Sequence, residues 1–257
     1  MSNNLITSIK TQYGTEAKLI KYYNCNNVLI EFQDEHKFRT TITYRQFTTG
    51  KIKNPYDLSV YDKGYIGVGK YSSTKNPVLY FTWHDMIRRC YDTNVKTRTR
   101  YMTYDNCEVD SEFLNLQTFG NWFDENIYFV DNERMHLDKD ILIKNNKIYS
   151  KDTCIFVPSG INTLFTKRQN KRRKDCPIGV RPTDSGKYEA YCSVSPNIYG
   201  GNVTNIYLGT FATKYDAFDS YKKFKESYIK QVADYYKNKI PDKLYNALYY
   251  YHIDIND

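Results

Sequence analysis

CPIGVRPTDSGKYEAYCSV, at residues 176–194, and NIYLGTFATKYDAFDSYKKF, at residues 205–224, decide the fold of the C-terminal third of the chain. In the first segment, Tyr188, Ala190 and Cys192 alternate with polar or larger residues such as Glu189 and Tyr191. An alternation with a period of two predicts strands that have one apolar face and one face free to meet solvent or a ligand. The two segments together predict three short strands followed by a helix.

The predicted helix begins at a capping-box-like pattern formed by Thr213 and Asp216. Apolar residues then follow at helical spacing, namely Ala217, Phe218, Tyr221, Phe224 and Tyr228. This spacing is typical of an amphipathic helix that packs across the apolar face of a sheet.

The same two segments resemble the DNA-binding domain of plant ethylene-response factors, the AP-two/ERF family. The resemblance lies in GVR at 179–181, GKYEA at 186–190 and LGTFAT at 208–213. In that family the sheet enters the major groove of double-stranded DNA and the helix supports it. The outward residues that the resemblance implies for DNA binding are Arg181, Lys187, Tyr191, Ser193, Asn205, Tyr207 and Thr210. Ser185, Ser193 and Tyr207 stand where the plant proteins have arginine or tryptophan, so we expect a different target sequence.

The distribution of charge also points to nucleic acid. The net charge is +8: residues 1–62 have 8 basic and 6 acidic side chains, residues 63–166 have 13 of each, and residues 167–257 have 16 and 10. A basic run precedes the predicted sheet and includes Lys167, Arg168, Lys171, Arg172 and Arg173. Such a run neutralises phosphates and releases counterions, which gives affinity for DNA of any sequence.

Other broad classes are disfavoured by composition. The chain contains no run of about 18 apolar residues, so we expect no membrane-spanning helix. The first residues lack the apolar core of a signal peptide, and none of the six cysteines forms a C-x-x-C pair. We therefore expect a soluble protein of the cytoplasm, the host cytoplasm if a phage encodes it.

The N-terminal region predicts a small β-rich unit, with VLIEF at 28–32 and FRTTITYRQF at 38–47 as strands. Further along, Thr82 and Asp85 form a second capping-box pattern before a helix. One face of that helix is Trp83, Met86, Ile87, Cys90 and Tyr91, and a second helix runs from Leu116 to Phe123. These aromatic residues are expected to lie in a core.

HLDKDILIKNNKIYSKDTCIFVP, at residues 136–158, predicts a strand, a polar turn, a second strand and a helix capped by Ser150. With Trp83–Tyr91 before it, this segment is similar to the HNH, or ββα-metal, nucleases found in phage endonucleases. The family pattern is W-x-x-M-x-x-R-C-Y, then L-D-[RK], then Y-S and a cysteine, and this chain has these residues in that order. The family holds one divalent cation, Mg²⁺ or Mn²⁺, and uses a histidine to activate water.

Residue by residue, the resemblance implies that Asp138 is the strand ligand and that Asn146 braces the loop. Lys139 occupies the position of the family's histidine, and Thr153 occupies the position of the helix-borne ligand, with Asp152 beside it as a further candidate ligand. His136 and Asp140 are expected to share a strand face with Asp138, because alternate strand residues point the same way. His136 is then a candidate base, and Asp138 and Asp140 are candidate metal ligands.

These observations predict a modular α+β protein that cleaves DNA, as a phage homing endonuclease does. The expected divisions are a β-rich unit at 1–62, an HNH-like region at 63–166, a basic linker at 167–175 and an AP-two/ERF-like domain with C-terminal helices at 176–257. An alternative is a nuclease-inactive DNA-binding regulator, or a protein of phage–host conflict with a phage or host protein partner, that retains the nuclease fold. RNA binding is a third possibility. The sequence predicts no oligomeric state.

Overall fold

The computed structural model describes residues 5–94, 104–165, 176–194 and 204–257, and it is a mixed α and β structure with several small sheets. Its contacts divide the chain into two compact units, Met1–Glu125 with Lys147–Lys151, and Asn126–Asn146 with Asp152–Asp257. The domain limits expected at residues 62, 166 and 175 do not coincide with this division and stay predictions. None of the helices in the described ranges has the length and apolar content needed to cross a bilayer.

The first unit contains an antiparallel sheet of four strands in the order β1-β2-β3-β4. The strands are β1 Ser8–Lys10, β2 Glu16–Asn24, β3 Asn27–Phe32 and β4 Arg39–Ile42. Its buried face includes Ala17, Val28, Ile30 and Phe32. The expected strand at 28–32 is confirmed.

The expected strand at 38–47 is correct only in its first half. β4 ends at Ile42, and helix α1 occupies Tyr44–Thr48. Thr43 caps this helix, since its hydroxyl accepts the Gln46 N–H at 3.2 Å while the Gln46 side chain accepts the Thr43 N–H at 3.0 Å. This reciprocal capping box stabilises a helical turn where the alternation alone predicted a strand.

The helices of the first unit follow the predicted apolar spacing. They are α2 Pro77–Tyr91, α3 Ser111–Leu114 and α4 Leu116–Asn126. Trp83, Met86, Ile87 and Cys90 are buried on α2, as expected. The predicted start at Thr82 is wrong, because Pro77 begins the helix and the Thr82 hydroxyl donates to the Val78 carbonyl at 2.8 Å. Strand β5, Glu108–Val109, pairs in parallel with β7, Ile148–Tyr149.

The second unit begins with an antiparallel pair, β6 Met135–Asp138 and β8 Ile155–Pro158. A short helix follows, α5 Ser159–Asn162, and a 3-10 turn at Thr163–Phe165. The helix predicted to begin at Ser150 is wrong, because residues 151–153 form a turn that leads into β8. All four residues of β8 are buried, and a short, fully buried apolar run satisfies its backbone by pairing with a neighbouring strand.

The three-stranded sheet of the second unit has the order β11-β10-β9. Its strands are β9 Val180–Pro182, β10 Tyr188–Val194 and β11 Thr204–Phe211, and they are followed by helices α6 Lys214–Tyr236 and α7 Asp242–Tyr249. Thr213 caps α6 by accepting the Asp216 N–H at 3.2 Å. Ala217, Phe218, Tyr221 and Tyr228 lie in one core with Val180, Ala190 and Cys192. The predicted packing of helix on sheet is confirmed.

Glu133 connects two parts of this unit that are distant in sequence. One carboxylate oxygen accepts the Tyr236 hydroxyl of α6 at 2.5 Å, and the other accepts the Gly160 N–H of α5 at 2.7 Å. Glu133 therefore connects the chain before β6 to α5 and α6, in agreement with the assignment of Asn126–Asn146 to the second unit.

Candidate functional site

The solvent face of the β9–β11 sheet contains most of the residues expected to contact DNA. Val180, Ala190 and Cys192 face α6, so the residues that alternate with them point away from the helix. Paired side chains on this outer face are Arg181 with Glu189, Glu189 with Thr210, Tyr191 with Tyr207, and Ser193 with Asn205. Lys187 is exposed at the turn before β10.

A β-bulge determines which β11 residues belong to this face. The register shifts between Ala190 and Tyr191, and Gly209 has a φ of +131° opposite Ala190. The shift places both Tyr207 and Thr210 outward, although they are three residues apart. A regular strand would have turned one of them toward α6, because a shift of one residue moves a side chain to the other face.

Side chains on this face hold one another in place. The Arg181 guanidinium lies over the Tyr191 ring at 4.3 Å, and the Tyr191 hydroxyl donates to Glu189 Oε2 at 3.0 Å. The Tyr191 and Tyr207 rings are 5.4 Å apart, and Ser193 Oγ donates to Asn205 Oδ1 at 2.6 Å. The bond to Glu189 raises the pKa of Tyr191, which keeps its hydroxyl protonated as a donor.

Glu189 is a feature of this face that the sequence prediction did not single out. In the sheet register, Glu189 stands between Arg181 of β9 and Thr210 of β11. A carboxylate repels phosphate but accepts a hydrogen bond from the amino group of cytosine. The expected basic contacts Lys167, Arg168, Lys171, Arg172 and Arg173 lie outside the described residues.

The acidic part of the site is the turn that follows β6. Asp138 ends the strand, and its Oδ1 accepts the N–H groups of Asp140 and Ile141 at 2.9 and 2.8 Å. The Asn146 side chain donates to the Lys139 carbonyl at 2.8 Å, which ties residue 146 back to the start of the turn. These bonds hold the chain in a sharp turn immediately after the candidate ligand.

Asp140 lies in this turn and not on the strand face as predicted, since β6 ends at Asp138. His136 is on the strand, two residues before Asp138 and therefore on its face. Lys139 is 5% exposed, and its Nζ is 3.1 Å from Asp140 Oδ2. The position at which the HNH resemblance implies a histidine thus has a buried ammonium group, which is paired with Asp140.

Asp138 is an unusual carboxyl group. Burial and, to a lesser extent, the nearby Asp140 raise its pKa to about 6, against the opposing effect of the two backbone N–H groups. A buried carboxyl group beside a second carboxyl group is a common arrangement at metal and catalytic sites, and it also occurs at structural ones.

The remaining predicted ligands, Asp152 and Thr153, are on the turn at 151–153 and not on a helix. Among the described residues, no three His, Cys, Asp or Glu side chains come together as a metal site. Two carboxylates are nevertheless sufficient for Mg²⁺, which usually binds through one or two of them and completes its coordination with water and substrate phosphate. Asp138 and Asp140 fit that requirement.

A cavity of about 590 Å³ within the second unit connects the two parts of the site. Asp138 and Asp140 line it, and so do Arg181, Tyr191 and Ser193 of the sheet. The volume is within the range of about 300–1,000 Å³ that is usual for sites of small molecules.

We expect Asp138→Asn to stabilise the protein at neutral pH when EDTA is present. Below pH 3.8, the ordinary pKa, the carboxyl group is protonated in both the folded and the unfolded chain, so it costs nothing. As the pH rises to about 6, only the unfolded chain ionises readily, and the free energy of unfolding falls. Denaturant titrations should show a gain of about 3 kcal/mol for the variant at pH 7.5 and almost none at pH 3.5. An equal difference at both pH values would contradict this account.

Comparison of the chain with protein-family models, curated protein sequences and solved structures gives no significant match. The two family resemblances in the sequence therefore stay predictions.

Proposed function

We propose that this chain binds double-stranded DNA with the outer face of the β9–β11 sheet and cleaves a phosphodiester beside it with one divalent cation. Phage homing endonucleases have this combination of activities. The observation that supports the proposal is the shared cavity, since Asp138 and Asp140 line the same space as Arg181, Tyr191 and Ser193. A nucleic acid bound at that edge of the sheet has access to the carboxylates.

The composition of the outer face supports DNA binding. Arg181 presents a guanidinium group that suits guanine or phosphate, and Ser193 and Asn205 present groups that both donate and accept hydrogen bonds. Two tyrosine rings, Tyr191 and Tyr207, add surfaces against which bases or sugars pack. The C-terminal part of the chain also has most of the excess positive charge.

Asp138 and Asp140 are the residues that would hold the cation. When bound, a divalent cation supplies Lewis-acid stabilisation of the charge that develops on a scissile phosphate. The backbone bonds to Asp138 Oδ1 fix the orientation of its carboxylate. We assign His136 the role of general base, because it shares the strand face of Asp138 and Lys139 is engaged with Asp140.

The decisive experiment is cleavage of phage genomic DNA by the full chain across a series of divalent metals, with DNA binding measured in parallel. Genomic DNA is needed because a homing enzyme has a long site that a plasmid can lack. The full chain is needed because residues 126–146 are part of the unit that contains the sheet. Cutting with Mg²⁺ or Mn²⁺ supports the proposal, and tight binding without cutting in any metal contradicts its catalytic part.

We expect Arg181→Ala and Glu189→Gln to change DNA binding in opposite directions, although the two residues face each other across β9 and β10. Loss of the guanidinium group removes a contact worth about 1–3 kcal/mol and relaxes base preference. Loss of the carboxylate removes a repulsion from phosphate, while the amide oxygen of the introduced glutamine can still accept the Tyr191 hydroxyl. Fluorescence anisotropy on duplex DNA at several salt concentrations measures both effects. Weakening by both variants, or by neither, would argue against this face as the DNA-binding surface.

A second candidate function is DNA binding without cleavage, as in a regulator or a protein of phage–host conflict. The observation that favours it is at Lys139, where a buried, ion-paired ammonium group replaces the family's histidine. Among the described residues, no third His, Cys, Asp or Glu side chain joins Asp138 and Asp140 as a metal site, which also favours binding without cleavage. Cleavage assays with a series of divalent metals separate the two functions, because both predict DNA binding but only the nuclease predicts cleaved DNA.

A further inference from the structure

Lys225 is a lysine on the buried, otherwise apolar face of α6. It lies on α6 between Tyr221 and Tyr228, on the face that packs against the sheet, and it is only 7% exposed. Its side chain lines the same cavity as Asp138 and Arg181. A buried lysine is rare unless it is paired with an acceptor, because removing an ammonium group from water is costly.

Within the described part of the chain, Lys225 forms no hydrogen bond and no ion pair. Its Nζ lies 5.5 Å from the Tyr228 ring centre, and the buried thiol of Cys192 is the titratable group that influences its pKa. Burial lowers the pKa of Lys225 and raises the pKa of Cys192, so the thiol is protonated at neutral pH and does not neutralise the ammonium group.

The other charges around the cavity have contacts of their own, and the Asp138 carboxyl group accepts the N–H groups of Asp140 and Ile141. Lys144 Nζ is 2.7 Å from Asp257 Oδ2, and Asp140 is paired with Lys139. Arg181 is stacked on Tyr191. Lys225, which contacts only the Tyr228 ring, is therefore the buried cation of this lining that has neither a hydrogen bond nor an ion pair among the described residues.

We propose that Lys225 binds a phosphoryl group of a nucleotide that enters this cavity. An ammonium group beneath a sheet edge suits a compact anion, and the volume of about 590 Å³ is sufficient for a nucleotide unit. Phe165 and Tyr251, whose rings are 4.7 Å apart, supply an apolar aromatic wall in the same cavity. The inference goes beyond the proposed function, because it holds whether or not the chain cleaves DNA.

Two sources can supply this phosphoryl group, a free nucleotide or the backbone of DNA. The test uses the full chain and follows the rate at which an amine-acylating reagent modifies Lys225, measured by mass spectrometry. The probes are thymidine 5′-monophosphate, thymidine and a short DNA duplex. Slower acylation with the monophosphate and not with thymidine identifies a free nucleotide, and protection by the duplex alone identifies a backbone phosphate. Protection by none of the probes overturns the inference.

Lys225→Met removes the charge and keeps most of the packing volume, so it separates binding from folding. We expect the affinity for the protecting probe to fall about 30-fold or more, since a buried charge pair loses one partner. The matched control is Lys223→Met, a nearby exposed lysine on the same helix that is paired with Asp219. Equal affinity in wild type and Lys225→Met would overturn the inference.

Thermal unfolding without probe gives an independent readout. Lys225→Met should unfold at the same or a higher temperature than wild type, because an unpaired buried charge is removed. A marked loss of stability would instead assign Lys225 a structural role and overturn the inference. If the duplex protects Lys225 from acylation but the chain does not cleave DNA, the nuclease function is rejected and the phosphoryl-binding site at Lys225 is retained.

Discussion

Gly179→Ala is expected to destabilise the C-terminal unit by about 2–5 kcal/mol, a large part of the stability of a domain. Gly179 has a φ of +79°, in the left-handed region that L-residues with a Cβ avoid. A Cβ atom at this position would also overlap the Tyr221 ring, at 2.6 Å from Cε2. The Gly179 carbonyl accepts the Tyr191 N–H at 2.8 Å. A shift of the Gly179 backbone away from Tyr221 would therefore break this hydrogen bond to β10.

Gly186→Ala is the matched control for this prediction. Gly186 has nearly the same φ, +76°, but no atom lies within 4 Å of a Cβ built there. Gly186→Ala should therefore lower the free energy of unfolding only by the backbone strain, about 1–2 kcal/mol. Chemical denaturation of the two variants separates the steric contribution from the conformational one. A cost at Gly179 no larger than at Gly186 would mean that the Tyr221 ring is not packed as the structure places it.

Asp138→Asn is expected to abolish metal-dependent DNA cleavage while it leaves DNA binding intact. The carboxylate serves the cation, whereas affinity comes from the sheet face and the basic segment. The amide oxygen of the introduced asparagine can still accept the two backbone N–H groups, so the turn should persist. Because the same variant is expected to raise stability at neutral pH, a loss of cleavage cannot be attributed to unfolding. The measurement is cleavage and binding of one DNA by both proteins with Mg²⁺ and with Mn²⁺.

Asp131→Asn is the control for removal of a charge, since Asp131 is exposed and pairs only at the surface with Lys239.

His136→Ala should lower the cleavage rate about 10²–10⁴-fold if His136 is the general base. Lys139→Ala tests whether the position of the family's histidine still takes part. Undiminished cleavage by Asp138→Asn would remove the β6 turn from the mechanism.

The apolar patterns of the sequence correctly predicted those helices and strands in which the pattern extends over several turns or several alternating residues. Trp83, Met86, Ile87 and Cys90 mark one helical face, and α2 buries them. Patterns of three or four residues were less reliable. Thr82 and Asp85 match the pattern of a helix start but lie inside the longer helix α2. Thr43 and Gln46 do form the capping box of α1, in a segment that the alternation predicted as a strand. Local capping sequences occur by chance, and tertiary packing decides which are used.

The candidate site was predictable where it depends on alternation and was missed where it depends on tertiary contacts. Tyr191 and Ser193 alternate with Ala190 and Cys192, so their outward direction could be inferred. The turn that removes Asp140 from the strand depends on hydrogen bonds from its backbone to Asp138. Lys225 had a recognisable sign, since it stands at core spacing between Tyr221 and Tyr228, but lysine in an amphipathic pattern is normally assigned to solvent.

The short segment Lys147–Lys151 belongs to the first unit, while the residues on both sides of it belong to the second. During synthesis on the ribosome, the four-stranded sheet has all its strands once residue 42 has emerged, but β5 must wait for β7. By then β6 has also emerged and lacks its partner β8. Neither unit is a contiguous stretch of the gene, so recombination at a single junction cannot transplant one of them whole. The two units are therefore expected to be inherited together.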